Sequence, residues 1–168
     1  MPQTRRIVIG LALLVLISAA VLGLEYFRGQ SSLSSAIGEV TLTPGSIPIY
    51  LDGELIAGFA PDSLENLEQV SFVDAAEGKL QDGWLLRDVL LAHIPEPQRL
   101  ALDTKITVTS SSRGKVAELT WAEVEAQENM VMFDLSNRGT LKLVSLLEKL
   151  DMRDEWIQDV DRIEVVSP

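Results

Sequence analysis

The sequence predicts an α+β protein, a mixed sheet with short helices, preceded by one transmembrane helix. Three observations predict it. Residues 7–24 read IVIGLALLVLISAAVLGL, 18 residues without a charge. From Val40 onward, short apolar runs at strand spacing alternate with short helical patterns, and no long amphipathic helix appears. The length of 168 residues fits one domain of about 100–150 residues with an appendage and argues against a multidomain enzyme.

The apolar run comes first. At about 1.5 Å per residue it reaches roughly 27 Å, close to the thickness of a hydrocarbon core. Arg5 and Arg6 precede it, while only Glu25 and Arg28 come close behind it. The positive-inside bias therefore keeps residues 1–6 in the cytoplasm, makes 7–24 a signal anchor and exports the chain beyond Leu24. Tyr26 and Phe27 stand where an aromatic belt would lie. The competing reading is a cleaved signal peptide, because Ser18-Ala19-Ala20 offers small residues at a suitable spacing, yet the apolar run continues through Leu24. Residues 25–39 are a linker, with GQSSLSSAIGE small and polar enough for a flexible tether. The expected location is an inner or plasma membrane, with the domain 40–168 in the bacterial periplasm or at the cell surface.

Within that domain, Val40 to Thr43 and Ile47 to Leu51 read as strands. Asp52-Gly53 is a two-residue hairpin signal leading into Leu55 to Phe59. Asp62 and Glu65 have capping-box spacing, which predicts a short helix to about Leu67 before a strand at Val70 to Val73. Trp84 to His93 carries Leu85, Val89 and Leu90 at helical spacing, and Pro95 and Pro97 end it. Ile106 to Thr109, a turn at Ser111 to Gly114, and Val116 to Leu119 form a second hairpin. Thr120 and Glu123 give another capping box with a helix to about Gln127, followed by a strand at Met130 to Phe133. A turn at Asn137 to Gly139 and strands at Leu141 to Val144 and Ile163 to Val166 complete the chain. Pro48 to Asp74 and Thr107 to Asp134 thus share an order of strand, turn, strand, short helix, strand, consistent with an internal duplication.

Composition narrows the chemistry. Without the apolar run the chain is roughly 41% apolar, ordinary for a globular domain. A net charge of -11 argues against nucleic acid, whose binding draws on cationic side chains that displace counterions. With no cysteine there is no disulfide, thiolate ligand, thiol nucleophile or lipid-modified cysteine, and a single histidine leaves few acid–base options. That histidine, His93, sits at a predicted helix C-terminus and reads as a cap or packing group. Trp84, Trp121 and Trp156 read as core anchors. The C-terminal carboxylates Asp151, Asp154, Asp159 and Asp161, with Glu148, Glu155 and Glu164, lack the spacing of a calcium loop and read as a solvated face. Arg113 and Lys115 at one hairpin tip and Arg138 at the Asn-Gly turn are the candidate binding residues. If the two hairpins meet, they make a small anion site; taken singly, they are solvated turn residues. No catalytic or metal-ligating residue is assigned.

Three segments carry a resemblance: GWLLRDVLLAHI (Gly83 to Ile94), VMFDLSNRGTLKLVS (Val131 to Ser145) and EWIQDVDRIEVV (Glu155 to Val166). In order and spacing they resemble the molybdopterin-binding domain of the sulfite oxidase family, over roughly Ile47 to Val166. The resemblance implies that family's fold. It also implies a molybdenum-ligating cysteine after the strand Val70 to Val73, where this chain reads DAAEGKLQDGW. The loop is short as well, and the stretch after the Asn-Gly turn is compressed to Gly139-Thr140. A degenerate fold of this kind, with its pocket cut away, implies a membrane-anchored extracytoplasmic binding or accessory module. Such a module is non-catalytic, needs no cofactor and can serve a transporter or respiratory complex. The alternative is a divergent molybdopterin-dependent oxidoreductase that holds its cofactor without a cysteine.

Overall fold

A computed structural model describes residues 40–168 except 75, 76, 96, 98 and 99. The predicted membrane segment 7–24 and linker 25–39 lie outside the described residues. Among the described residues, no helix is long and apolar enough to cross a membrane.

Among the described residues, ten strands form two five-stranded sheets. β1 (Ile47–Leu51) and β2 (Glu54–Phe59) make the first hairpin, with Ile47, Ile49 and Leu51 buried at strand spacing. Asp52 and Gly53 turn the chain with φ of 52° and 84°, the left-handed pair that a two-residue hairpin requires and that this dipeptide tolerates. β5 (Lys105–Ser110) and β6 (Lys115–Thr120) make the second hairpin. The last strand, β10 (Arg162–Val166), inserts between them, parallel to β1 and antiparallel to β5, giving the order β2-β1-β10-β5-β6.

The second sheet has the order β3-β4-β7-β8-β9. Its members are β3 (Gln69–Val73), β4 (Leu80–Leu85), β7 (Met132–Leu135), β8 (Leu141–Val144) and β9 (Ile157–Gln158). One face joins the first sheet in a common core, where Trp84, Phe133 and Leu143 share a cluster with Ile49, Val108 and Ile163. Helix α1 (Leu86–His93) adds Leu86, Val89 and Leu90 to that core. The opposite face carries a smaller cluster of Phe72, Leu85, Met132 and Val144 under Trp156. Gly83 lets β4 and β7 approach: a Cβ there would lie 1.8 Å from the Phe133 carbonyl oxygen.

Both hairpins of the first sheet are followed by a short helical segment and then a strand of the second sheet, so the expected repeat of element order is present. Several boundaries differ from expectation. Val40 to Thr43 form no strand; instead the Leu42 side chain lies against Gly58. The first capping box is not made: Pro61–Asn66 is a 3-10 helix that begins after Ala60 without a side-chain cap, and Ser63 donates to the Ala60 carbonyl at 2.7 Å. Trp84 and Leu85 belong to β4 and not to the helix, because their backbone pairs with β7 on one side and Trp84 also pairs with Gln69 on the other. Met130 adopts φ 44°, so β7 starts two residues later than predicted. The second capping box is made at both ends, with Glu123 N–H to Thr120 Oγ1 at 3.3 Å and Thr120 N–H to Glu123 Oε2 at 2.7 Å. It starts α2 (Trp121–Glu125).

Candidate functional site

Two of the three candidate cations come together. Arg113 lies in the β5–β6 turn and Arg138 in the β7–β8 turn, and both reach Asp159 in the crossing from β9 to β10. Arg113 Nε donates to Asp159 Oδ2 at 2.7 Å, Arg138 Nη2 to Oδ1 at 3.1 Å, and Thr140 Oγ1 to Oδ1 at 2.8 Å. The Thr140 hydroxyl and the Arg113 guanidinium, with the charge of Arg138, hold the Asp159 carboxyl below its usual range. Asp161 continues the clamp, accepting from Ser111 N–H at 2.8 Å and Ser111 Oγ at 3.2 Å. The hairpins therefore meet as the anion-site reading requires, but the anion at their junction is the chain's own carboxylate.

Asp159 and Asp161 thus depart from the expectation of a solvated face. Asp159 sits at φ 56°, a left-handed conformation that Asp tolerates better than most residues, and this aims its carboxylate back at both turns. Sequence reading missed it because its partners lie 46 and 21 positions away. Lys115 does not join the cluster. Its Nζ donates to the Asp154 carbonyl and, at 3.3 Å, to the Trp156 carbonyl, so it caps the loop that carries Trp156.

In the segment after β3, where the resemblance places a metal-ligating thiolate, the described residues bond to one another. Asp74 is 3% exposed. Its carboxylate accepts from Glu77 N–H at 2.6 Å and Gln81 Nε2 at 3.3 Å, and its backbone N–H donates to the Lys79 carbonyl at 2.9 Å. Gln81 Oε1 accepts from Lys142 Nζ at 2.9 Å; Lys142 also pairs with Asp134 at 2.9 Å and lies 4.9 Å over the Trp156 ring. Glu77 is held below its usual range by the Lys79 ammonium, 2.6 Å away, and by Arg153. Beside these groups is a polar groove of about 470 Å³, lined in part by Gln81, Asp134, Lys142 and Arg153. Lys142 and Arg153 already have carboxylate partners, and the sequence contains no cysteine to supply a thiolate. The residues here do not supply the thiolate and free cations that a molybdenum–pterin phosphate would need.

His93 Nδ1 lies 2.8 Å from the Val89 carbonyl one turn earlier, and the ring packs 5.1 Å from Phe59. This is the predicted packing role, with one ring nitrogen engaged by the helix itself. Trp84, Trp121 and Trp156 are all buried, and Trp156 Nε1 donates to the Leu150 carbonyl at 3.0 Å. Among the described residues no group of three His, Asp or Glu is arranged to hold a metal ion. No protein-family model matches the chain, and no curated protein matches it significantly in sequence.

Proposed function

We propose that the chain is a membrane-anchored, extracytoplasmic binding or accessory module with a degenerate molybdopterin-binding-domain fold of the sulfite oxidase type, and that it carries out no molybdenum chemistry. The observation that carries this reading is the position of Asp74. In the segment after β3 where the resemblance expects a thiolate, the buried Asp74 carboxylate accepts instead from the Glu77 N–H and from Gln81. The Arg113–Asp159–Arg138 cluster adds support, since the cations best placed for a phosphate are already neutralised. Fold alone does not fix function, and a site without its reactive groups favours assembly or recognition. The membrane partner is expected through residues 7–24, with a transporter or respiratory complex as the setting.

Two measurements test the reading. Full-length protein purified from membranes is assayed for molybdenum and pterin; substoichiometric amounts are expected, and a stoichiometric load would replace the proposal with the divergent oxidoreductase. A reporter fused after Pro168 is expected to be active only outside the cytoplasm, and cytoplasmic activity would reverse the topology.

A further inference from the structure

The first sheet ends at β6. Its six residues pair with β5 on one side, and no strand among the described residues pairs with the other. The direction of its free backbone groups is set by the capping box: the Thr120 N–H leaves the ladder for Glu123 Oε2. Backbone groups alternate sides along a strand, so those of Val116 and Glu118 point away from β5 as well. No described residue takes them as donors or acceptors. Such an unpaired row is a template for another strand. The opposite edge of this sheet, β2, has Leu42 against Gly58.

Next to the β6 edge lies a groove of about 560 Å³ with Ala117, Leu150 and Ile157 along its floor and Glu118, Asp154 and Glu155 on its rim. The rim's two lysines are committed elsewhere: Lys149 pairs with Glu123 at 2.8 Å, and Lys115 donates to the Asp154 and Trp156 carbonyls. None of the three rim carboxylates is in an ion pair among the described residues, so the charge left facing the groove is negative. Val116, 55% exposed, adds an apolar β-branched side chain on the strand. We infer that the β6 edge and this groove take an extended peptide segment bearing Lys or Arg, added as a sixth strand to the first sheet. Main-chain pairing at Val116 and Glu118 supplies affinity, and the rim carboxylates select for cationic side chains. This inference deepens the binding-module reading and rests on it.

The test uses the full chain in detergent micelles and a fluorescein-labelled, end-blocked peptide of sequence Lys-Val-Lys-Val-Lys-Val. Saturable binding is expected by anisotropy, with slowed hydrogen exchange at the Val116 and Glu118 amides. The peptide with Glu in place of Lys is expected not to bind. Val116→Pro removes an outward N–H without breaking the pairing to β5, and should weaken binding about tenfold by blocking strand addition. Glu118→Gln should weaken it several-fold. Binding that is equal for Val116→Pro, equal for the Glu peptide, or unaccompanied by protection at Val116 and Glu118 overturns the inference, as does no saturable binding. The exchange measurement on the unaltered protein stands even where Val116→Pro fails to fold. Concentration-dependent self-association that Val116→Pro abolishes would give the edge to a second copy and likewise overturn the cationic-peptide assignment. Any of these failures leaves the binding-module reading in place, which falls separately if molybdenum or pterin copurifies.

Discussion

Replacing Asp159 separates three contributions that the structure joins in one residue. The side chain is 19% exposed and holds the tips of two hairpins through Arg113, Arg138 and Thr140. The two ion pairs involve arginines that are 42% and 61% exposed, so each is worth about 0.2–1 kcal/mol. The half-buried Thr140 hydrogen bond adds about 1 kcal/mol. Losing the whole clamp should therefore cost roughly 1.5–3 kcal/mol, well above the roughly 0.5 kcal/mol typical of a solvated surface residue. Conformation adds a second term, because Asp159 has φ 56° and Ala there costs about 1–2 kcal/mol of left-handed strain. Asp159→Gly removes the clamp without that strain, and Asp159→Asn keeps an acceptor for Thr140 and tolerates the φ. The expected order of stability is Asp, Asn, Gly, Ala, read as denaturation midpoints of the purified protein. If Asp159→Ala changed stability by less than about 0.5 kcal/mol, the clamp would carry no weight; if Gly and Ala were equal, the strain argument would fail.

Trp156→Ala should remove about 3–5 kcal/mol of transfer and cavity energy and leave the Leu150 carbonyl without its 3.0 Å donor, so a thermal melt should show the head close to unfolded. Retained stability would mean that the second-sheet cluster around Phe72 and Val144 does not depend on this cover. Gly83→Ala should cost on the order of 1–3 kcal/mol by overpacking, because the new Cβ meets the Phe133 carbonyl; a wild-type denaturation midpoint would show that β4 and β7 can separate freely. Acid supplies a further test. Asp159 and Glu77 have folded pKa values below their ordinary values of 3.8 and 4.5, as does Glu123, where Lys149 and the Thr120 N–H outweigh the upward push of burial. Carboxylates lowered by folding stabilise above their unfolded pKa and lose that contribution as pH falls through the folded value. The Tm difference between the native protein and Asp159→Asn should therefore be full above about pH 5 and shrink below about pH 4; a difference that widened with acidification would refute the assignment.

Local signals in the sequence were realised where a few neighbouring residues determine the outcome. Asp52-Gly53 formed its hairpin, the Thr120/Glu123 box capped α2, and the alternation in β1 and β5 placed their apolar residues in the core. The errors arose where tertiary pairing or a competing local bond decided. Trp84 and Leu85 fit a helical stripe, yet lie in a strand whose backbone bonds are taken up by β3 and β7. β9, two residues long, is a strand through its pairing with β8 alone. Asp62 and Glu65 have the spacing of a cap, but Pro61 and the Ser63 hydroxyl set a 3-10 turn instead. Of the candidate site, the cations of both turns were visible in sequence, and their junction was not, because it depends on β10 crossing back between β1 and β5. Strand order has no local signal, so the carboxylate that neutralises those cations could not be placed beside them.

That neutralisation extends across the described part of the head and bears on what it can recognise. Among the described residues, eight of the ten Lys and Arg form ion pairs, and Lys115 is spent on backbone carbonyls. In these pairs the eight cations meet six of the 23 carboxylates after Glu39, because Glu77 and Asp159 each serve two. At those eight cations an anionic ligand would have to displace a carboxylate, whereas a cationic ligand meets acids that outnumber the cations about two to one. Long-range attraction in such a field accelerates encounter with basic partners and disfavours acidic ones. The field supplies no fixed register, however, because surface carboxylates are mobile and screened beyond roughly 8–10 Å. Register requires groups of fixed direction, and along β6 those are the outward backbone amides and carbonyls of Val116 and Glu118.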